Sequence, residues 1–157
     1  MRVISFDQST NKTGYSVFDN ENLINHGVLD FSEIENSDER IFKLKTEANN
    51  LIKNQKAEIV AIEQIQYQGN LQGYKPLAEL LGVMKNNLYE QELLYFIIEP
   101  SKWKSTCGVK GKKRVDQKAN AQNFVKEQFD IDASEDEADA ICIGWHMVQK
   151  EVKKVII

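Results

Sequence analysis

The first 31 residues contain three short segments with strand character, and no other feature of the chain restricts its fold as much. Residues 2–7 alternate in polarity and include β-branched side chains, and residues 15–18 and 23–31 are also typical of strands. Polar turn sequences at 8–14 and 19–22 separate the three segments. Because turns this short join antiparallel neighbours, we predict that the chain begins with a three-stranded meander.

The rest of the chain alternates between helical and strand patterns. This alternation predicts the order βββαβαβαα and one α/β domain over residues 1–157, with a five-stranded mixed sheet flanked by helices. After the meander, the predicted elements are a helix from Ser37, a strand over 59–63, a polar loop over 64–74, a helix from Pro76, a strand over 93–98, a helix around 115–125 and a last helix from Ser134.

Composition excludes several classes of protein. With 41% hydrophobic residues, 28% charged residues and only 2 Pro, the chain is neither collagen-like nor disordered. Its longest apolar run, over 93–98, is far shorter than the roughly 20 residues that span a membrane. The first residues do not form a signal segment, and Cys107 and Cys142 are too few for a disulfide framework. We therefore expect a cytoplasmic protein with no membrane partner.

Charge is unevenly distributed along the chain. The net charge of −4 disfavours a general nucleic-acid coat. Residues 102–118, the basic segment, nevertheless carry seven of the twenty basic side chains and one acid, whereas residues 130–139 carry six acids and no base. Two interpretations remain open from charge alone: a solvated surface, or a phosphate-binding loop beside a metal-binding cluster.

Four carboxylates occupy positions that packing alone does not require. Asp7 and Glu63 end predicted strands, and Asp136 and Asp139 are three residues apart on the last helix, so they share a face. Asp136 could instead favour the helix dipole, and Asp7 could cap a turn. Four clustered carboxylates would repel one another without a cation, and oxygen ligands select Mg²⁺ or Mn²⁺. Two such ions about 4 Å apart suit phosphodiester hydrolysis.

Three motifs resemble those of RuvC-type Holliday junction resolvases. They are Phe-Asp-Gln-Ser-Thr at 6–10 followed by Thr-Gly-Tyr at 13–15, Ala-Ile-Glu-Gln at 61–64, and Asp-Glu-Ala-Asp-Ala at 136–140. The resemblance implies a ribonuclease-H-like fold, a homodimer, and Mg²⁺-dependent nicking of four-way junctions and other branched DNA. It implies two ions per active site, with Mn²⁺ able to substitute, held by Asp7, Glu63, Asp136 and Asp139.

The resemblance also implies basic residues at the site. Its active-site lysine falls on Lys118 when Phe124 and Val125 set the register, with Lys113 as the alternative, and a second basic position falls on Lys104. The family's bacterial members usually have an aromatic residue where this chain has Gln66, next to Tyr67. That loop and the basic insert are more similar to the phage-borne branch of the family. The implied DNA-binding residues are Lys104, Lys110, Lys112, Lys113, Arg114, Gln66 and Tyr67.

Two other functions fit parts of the sequence. The turn after Phe6 is also similar to the phosphate loop of sugar kinases and other actin-like ATPases, but those proteins need a second lobe and a second phosphate loop. A non-catalytic junction-binding protein is the other alternative, and it would be expected to lack at least one of the four acids. His146 lies two helical turns after Asp139, and we interpret it as a packing or capping residue rather than a site residue.

Overall fold

In the computed structural model, which describes residues 1–155, five strands form one mixed sheet in the order β3-β2-β1-β4-β5. Strands β1 to β3 form the expected antiparallel meander, and β4 and β5 add to β1 in parallel. The five-stranded mixed sheet predicted from the sequence is therefore confirmed. The strands are β1 (Arg2–Asp7), β2 (Lys12–Asp19), β3 (Asn22–Asp30), β4 (Ile59–Glu63) and β5 (Leu94–Ile98).

Helices cover both faces of the sheet. Alternate residues of each strand point to opposite faces, so Ile4 and Val60 pack with α1 and α2, whereas Val3 and Ala61 pack with the helices of the other face. The helices are α1 (Ser37–Asn54), α2 (Leu71–Glu90), α3 (Pro100–Thr106), α4 (Arg114–Phe129) and α5 (Glu135–His146), followed by a π-helical turn (Met147–Glu151) and α6 (Val152–Val155). No helix within residues 1–155 is long and apolar enough to cross a membrane.

One predicted helix boundary is wrong, and one helix was not predicted. Helix α2 begins at Leu71, not at Pro76, because the side chain of Asn70 caps it by accepting a hydrogen bond from the backbone N–H of Gly73 at 3.2 Å. Pro76 lies inside the helix and removes a single backbone hydrogen bond. Helix α3 was not predicted from the sequence. It contains the first residues of the basic segment and has Pro100 at its first position, where proline's fixed φ suits a helix.

Helix α5 lies unusually close to the sheet. A Cβ added to Gly14 on β2 would come within 1.9 Å of the Asp136 carbonyl oxygen, so only glycine leaves room there. The paired residues Ser5 and Ser16 donate hydrogen bonds from their buried hydroxyls to the Ala140 carbonyl, at 2.7 Å and 3.1 Å. Small residues and two hydroxyl anchors thus hold α5 directly on β1 and β2.

Candidate active site

The strand register places the first two acids side by side. Strands β1 and β4 are parallel neighbours in which Phe6 pairs with Ile62, so Asp7 and Glu63 end adjacent strands at the same edge of the sheet. Asp7 lies two residues after Ser5, and Glu63 lies two residues after Ala61. Each acid therefore points to the same face of the sheet as that residue, which is the face that carries α5. Among the neighbouring charges, the Glu63 carboxylate raises the pKa of Asp7 the most.

Helix α5 brings the other two acids over this edge. Asp136 lies in its first turn and Asp139 one turn later, where its side chain is buried. The helix starts with a capping box in which Ser134 accepts from the backbone N–H of Glu137, and the Glu137 carboxylate accepts from that of Ser134. His26 on β3 also contacts the Glu137 carboxylate at 2.9 Å. These contacts fix the start of the helix and hence the position of Asp136.

One cavity of about 600 Å³ brings most of the predicted residues together. It opens at the carboxyl ends of β1 and β4, between the loop before α2 and the start of α4. Basic side chains from α3 and from the start of α4 lie opposite the carboxylates. The predicted residues that line it are Asp7, Glu63, Asp136, Asp139, Lys118, Lys104, Lys112, Arg114 and Gln66.

Three predicted DNA-binding residues lie outside the cavity lining. Lys110 and Lys113 are exposed in the basic segment, and Lys113 precedes the first residue of α4. Tyr67 is 60% exposed and packs edge-on against Tyr74, with ring centroids 5.6 Å apart. Tyr74 does line the cavity, so this pair extends the cavity wall outward. Because the pair lies at the rim of the cavity, it suits contact with a ligand that is too large to fit inside the cavity.

The four-acid environment raises carboxyl pKa values. Burial raises the pKa of Asp7 well above its ordinary value, and the carboxylates of Glu63 and Asp139 raise it further. Burial also raises the pKa of Glu63, against the opposing effect of its hydrogen bond from Trp103. The pKa of Asp139 is raised by burial as well, although the neighbouring ammonium of Lys118 opposes the shift. The site therefore resists holding all its negative charges without a compensating cation.

Lys118 supplies part of this compensation. Its ammonium group donates a hydrogen bond to Asp139 Oδ2, and both side chains are largely buried. Burial lowers the pKa of Lys118, but the charge and hydrogen bond of Asp139, together with the charge of Asp7, outweigh it, and the pKa is raised. Of the two lysines that the sequence left as alternatives, Lys118 is thus the one beside the acids, whereas Lys113 is exposed at the start of α4.

The donor set fits a hard divalent cation by its chemistry. Asp7, Glu63, Asp136 and Asp139 offer only carboxylate oxygens, which are ligands that Mg²⁺ and Mn²⁺ accept. Next to Asp7, the buried amide of Gln8 has no hydrogen-bond partner among residues 1–155 at either its nitrogen or its oxygen, as expected where a polar ligand belongs. Within residues 1–155, however, no three acidic, His or Cys side chains already form a ligand cage. Binding an ion would require Asp139 to turn away from Lys118.

Two hydrogen bonds between cavity residues were not predicted from the sequence. Trp103 on α3 donates a hydrogen bond from its indole Nε1 to Glu63 Oε1 at 2.7 Å. Gln117 on α4 accepts one from Lys104 Nζ at 2.9 Å. Neither a helical spacing nor a charge pattern reveals these contacts, because each involves a residue of α3, and α3 was not predicted from the sequence. His146, in contrast, contacts Thr106 Oγ1 at 2.7 Å, consistent with the packing role expected for it.

Comparison with known proteins assigns the chain to a family. A family model described as "Crossover junction endodeoxyribonuclease RuvC" matches residues 3–145, which is most of the chain. The chain belongs to the RuvC family. A crossover junction endodeoxyribonuclease RuvC from Caldicellulosiruptor saccharolyticus is 27% identical over 152 residues, covering 92% of this chain and 90% of the relative. RuvC membership makes the chain a DNA endonuclease that hydrolyses phosphodiester bonds, and the kinase-like alternative is not favoured.

Solved RuvC-type structures share its fold. Thermus thermophilus RuvC in complex with Holliday junction substrate superimposes with a TM-score of 0.77 at 17% identity, covering 93% of this chain and 92% of that one. Fowlpox virus resolvase in complex with Holliday junction DNA gives 0.69 at 14% identity, covering 97% and 99%. The RuvC-type, ribonuclease-H-like architecture expected from the motifs is confirmed.

Proposed function

We propose that this RuvC-family chain resolves four-way DNA junctions by metal-dependent nicking of two opposed strands. The observation that carries the proposal is the cavity itself, in which four carboxylates from β1, β4 and α5 face basic side chains from α3 and α4. The proposed metal ligands are Asp7, Glu63, Asp136 and Asp139. Other branched DNA is a further substrate class that the same cavity would accept.

Each part of the cavity has a proposed task. Two Mg²⁺ ions, or Mn²⁺ in their place, would supply water activation and stabilisation of the leaving oxygen. Lys118 would leave Asp139 and stabilise negative charge on the reacting phosphate. Lys104, Lys112 and Arg114 would hold the neighbouring backbone phosphates, while Lys110 and Lys113 would extend this contact along the strand. Gln66 and Tyr67 would contact bases near the branch point.

We also propose that the protein acts as a homodimer. A four-way junction has two equivalent strands to cut, so a two-fold pair of sites would match the symmetry of the substrate. A single site would nick once and leave the junction joined. Helix α2 suits a role in such a dimer, because Tyr89 near its end is 77% exposed. Sedimentation of the free protein at increasing concentration would test this assembly.

Three broader assignments from the sequence remain proposals. Residues 1–157 are proposed to form one nuclease domain, with no part that folds separately. The amide-rich loop around Gln66 and the basic insert support assignment to the phage-borne branch. The enzyme is proposed to work in the cytoplasm, which would be that of the bacterial host if the protein is phage-encoded.

Cleavage of a synthetic immobile four-way junction tests the proposed function. With Mg²⁺, we expect paired nicks on opposed strands that leave 5′ phosphates, and no cleavage in EDTA. A linear duplex made from the same sequences should remain intact and serves as the control. Binding of the junction without cleavage in Mg²⁺ or Mn²⁺ would instead identify a non-catalytic junction-binding protein.

The two candidate lysines should differ in which step they affect. Lys118→Met should lower the single-turnover cleavage rate by about 10- to 100-fold, because a charged hydrogen-bond donor to the reacting phosphate is worth about 1.5–3 kcal/mol. Lys113→Met, the matched control, should weaken junction binding and reduce its salt dependence. Rates measured at saturating protein separate the two effects. The Lys118 assignment is wrong if Lys113→Met lowers that rate more.

A further inference from the structure

Trp103 is a buried side chain that hydrogen-bonds to one of the four acids. It is 1% exposed and lies on α3 next to the cavity. Its indole Nε1 donates a hydrogen bond to Glu63 Oε1 at 2.7 Å, a short distance typical of bonds to a charged acceptor. The indole N–H can only donate, so this contact satisfies its hydrogen-bonding requirement and also occupies one oxygen of Glu63.

Neighbouring groups hold the indole in place. Its ring packs in the same core cluster as Ala138, Ile141 and Cys142 of α5, the helix that carries Asp136 and Asp139. Pro100 is buried at the first position of α3. On the cavity side, the ammonium of Lys104 lies 5.3 Å from the centre of the Trp103 ring. The indole is therefore packed between α5 and the cavity, with little freedom to follow a moving carboxylate.

We propose that Trp103 is a positioning residue that fixes the orientation of Glu63 for metal binding. The inference rests on the proposed function, in which Glu63 is a metal ligand. Because Oε1 already accepts the indole N–H, the orientation of the carboxylate is fixed and Oε2 is the less engaged of its two oxygens. Groups that hydrogen-bond to metal ligands orient them in this way, and their loss typically lowers metal affinity or activity by 10- to 100-fold.

Packing alone does not explain the choice of residue. A phenylalanine ring could fill much of the same apolar space between α3 and α5 without a polar group to satisfy. Trp103 instead places its N–H against a carboxylate that faces the cavity. If Trp103 only filled space, removing the N–H while keeping the ring shape would leave metal binding unchanged.

The chain has two tryptophans, which permits such a replacement. Trp145 packs against Phe18 and Phe129, away from the cavity lining, so Trp145→Phe provides a background in which Trp103 is the only tryptophan. Biosynthetic replacement of tryptophan in that background by β-(3-benzothienyl)alanine exchanges the indole N–H for sulfur at position 103 alone. Trp103→Phe is the second variant, made from natural amino acids and therefore independent of the analogue.

Calorimetric titration with Mn²⁺ and junction cleavage are then measured on each folded variant. We expect the Trp145→Phe background to match the unmodified chain, and both variants lacking the N–H to bind Mn²⁺ roughly 10- to 100-fold more weakly. Cleavage should recover at high Mn²⁺ concentration, which separates positioning from a role in the chemical step. Equal Mn²⁺ affinity with and without the N–H would overturn the proposal.

The experiment also distinguishes this inference from the proposed function. If the unmodified chain binds no Mn²⁺ and cleaves no junction, both proposals fail together. If it binds Mn²⁺ and cleaves junctions, and only the effect of the N–H is absent, the proposed function stands and the role of Trp103 is refuted. Thermal unfolding of each variant without metal confirms that the compared proteins are folded.

Discussion

Replacing Asp7 by Asn is expected to abolish metal-dependent cleavage and, at the same time, to stabilise the metal-free protein. Asp7 lies among the four acids, and the charges of Glu63, Asp139 and Asp136 all raise its pKa. Losing a proposed carboxylate ligand would remove several kcal/mol of metal-based stabilisation of the transition state, which corresponds to a rate loss of about 10³-fold or more. Junction binding should persist, because the basic side chains proposed to contact phosphates are unchanged.

The gain in stability follows from the pKa of Asp7. Burial and the neighbouring carboxylates raise this pKa above the ordinary value of 3.8, so the folded protein holds the Asp7 proton more tightly than the unfolded chain does. As pH rises above 3.8, the unfolded chain loses this proton first, and the wild-type fold loses stability relative to the variant. The difference in unfolding midpoint between Asp7→Asn and wild type should therefore be small at acidic pH and grow toward neutral pH.

Adding Mg²⁺ should reverse the order. An ion that binds only the folded wild type stabilises it by mass action, whereas Asp7→Asn should respond weakly. Asp132→Asn is the matched control, because Asp132 is 88% exposed and lies outside the cavity. We expect this variant to keep the wild-type cleavage rate and the wild-type stabilisation by Mg²⁺. If the Asp7→Asn protein cleaves junctions at the wild-type rate, Asp7 is not part of the catalytic site.

Much of the site could be predicted because its parts are encoded locally. Alternation marks β1, a short apolar run marks β4, and Asp7 and Glu63 end these two segments. A spacing of three residues places Asp136 and Asp139 on one helix face. Strand pairing brings Asp7 and Glu63 to one edge of the sheet, whereas the position of the other two acids over that edge depends on how α5 packs on the sheet.

The contacts that complete the site are not encoded in this way. Trp103 meets Glu63 across 40 residues of sequence, and Ser5 meets Ala140 across 135. Each depends on how one element lies on another, which neither residue type nor spacing specifies. Local capping also overrode a strong signal at α2, since Asn70 starts the helix ahead of Pro76. The supporting contacts were missed because three-dimensional packing sets them, whereas the start of α2 was missed because its local cap at Asn70 was not recognised.

The close approach of α5 to the sheet yields the second large prediction, for Gly14→Ala. The added methyl group would lie 1.9 Å from the carbonyl oxygen of Asp136 and 2.5 Å from its carbonyl carbon. Both atoms belong to the backbone, so no side-chain rotation can relieve the clash, and α5 must move away from β2. We expect a loss of about 3 kcal/mol in the free energy of unfolding, at the upper end of the usual cost of overpacking.

Cleavage should fall further than stability alone explains, because the displaced residue carries one of the proposed metal ligands. The measurement is junction cleavage under conditions where urea titration shows the variant to be folded, together with Mn²⁺ affinity. Gly82→Ala is the matched control: nothing lies within 4 Å of a Cβ added there, and alanine in this helix should stabilise it by up to about 1 kcal/mol. A folded Gly14→Ala protein with wild-type cleavage and Mn²⁺ affinity would show that the position of Asp136 does not limit the reaction. The close packing of α5 would then serve the fold alone, and the metal ligands would reduce to the three acids on β1, β4 and the second turn of α5.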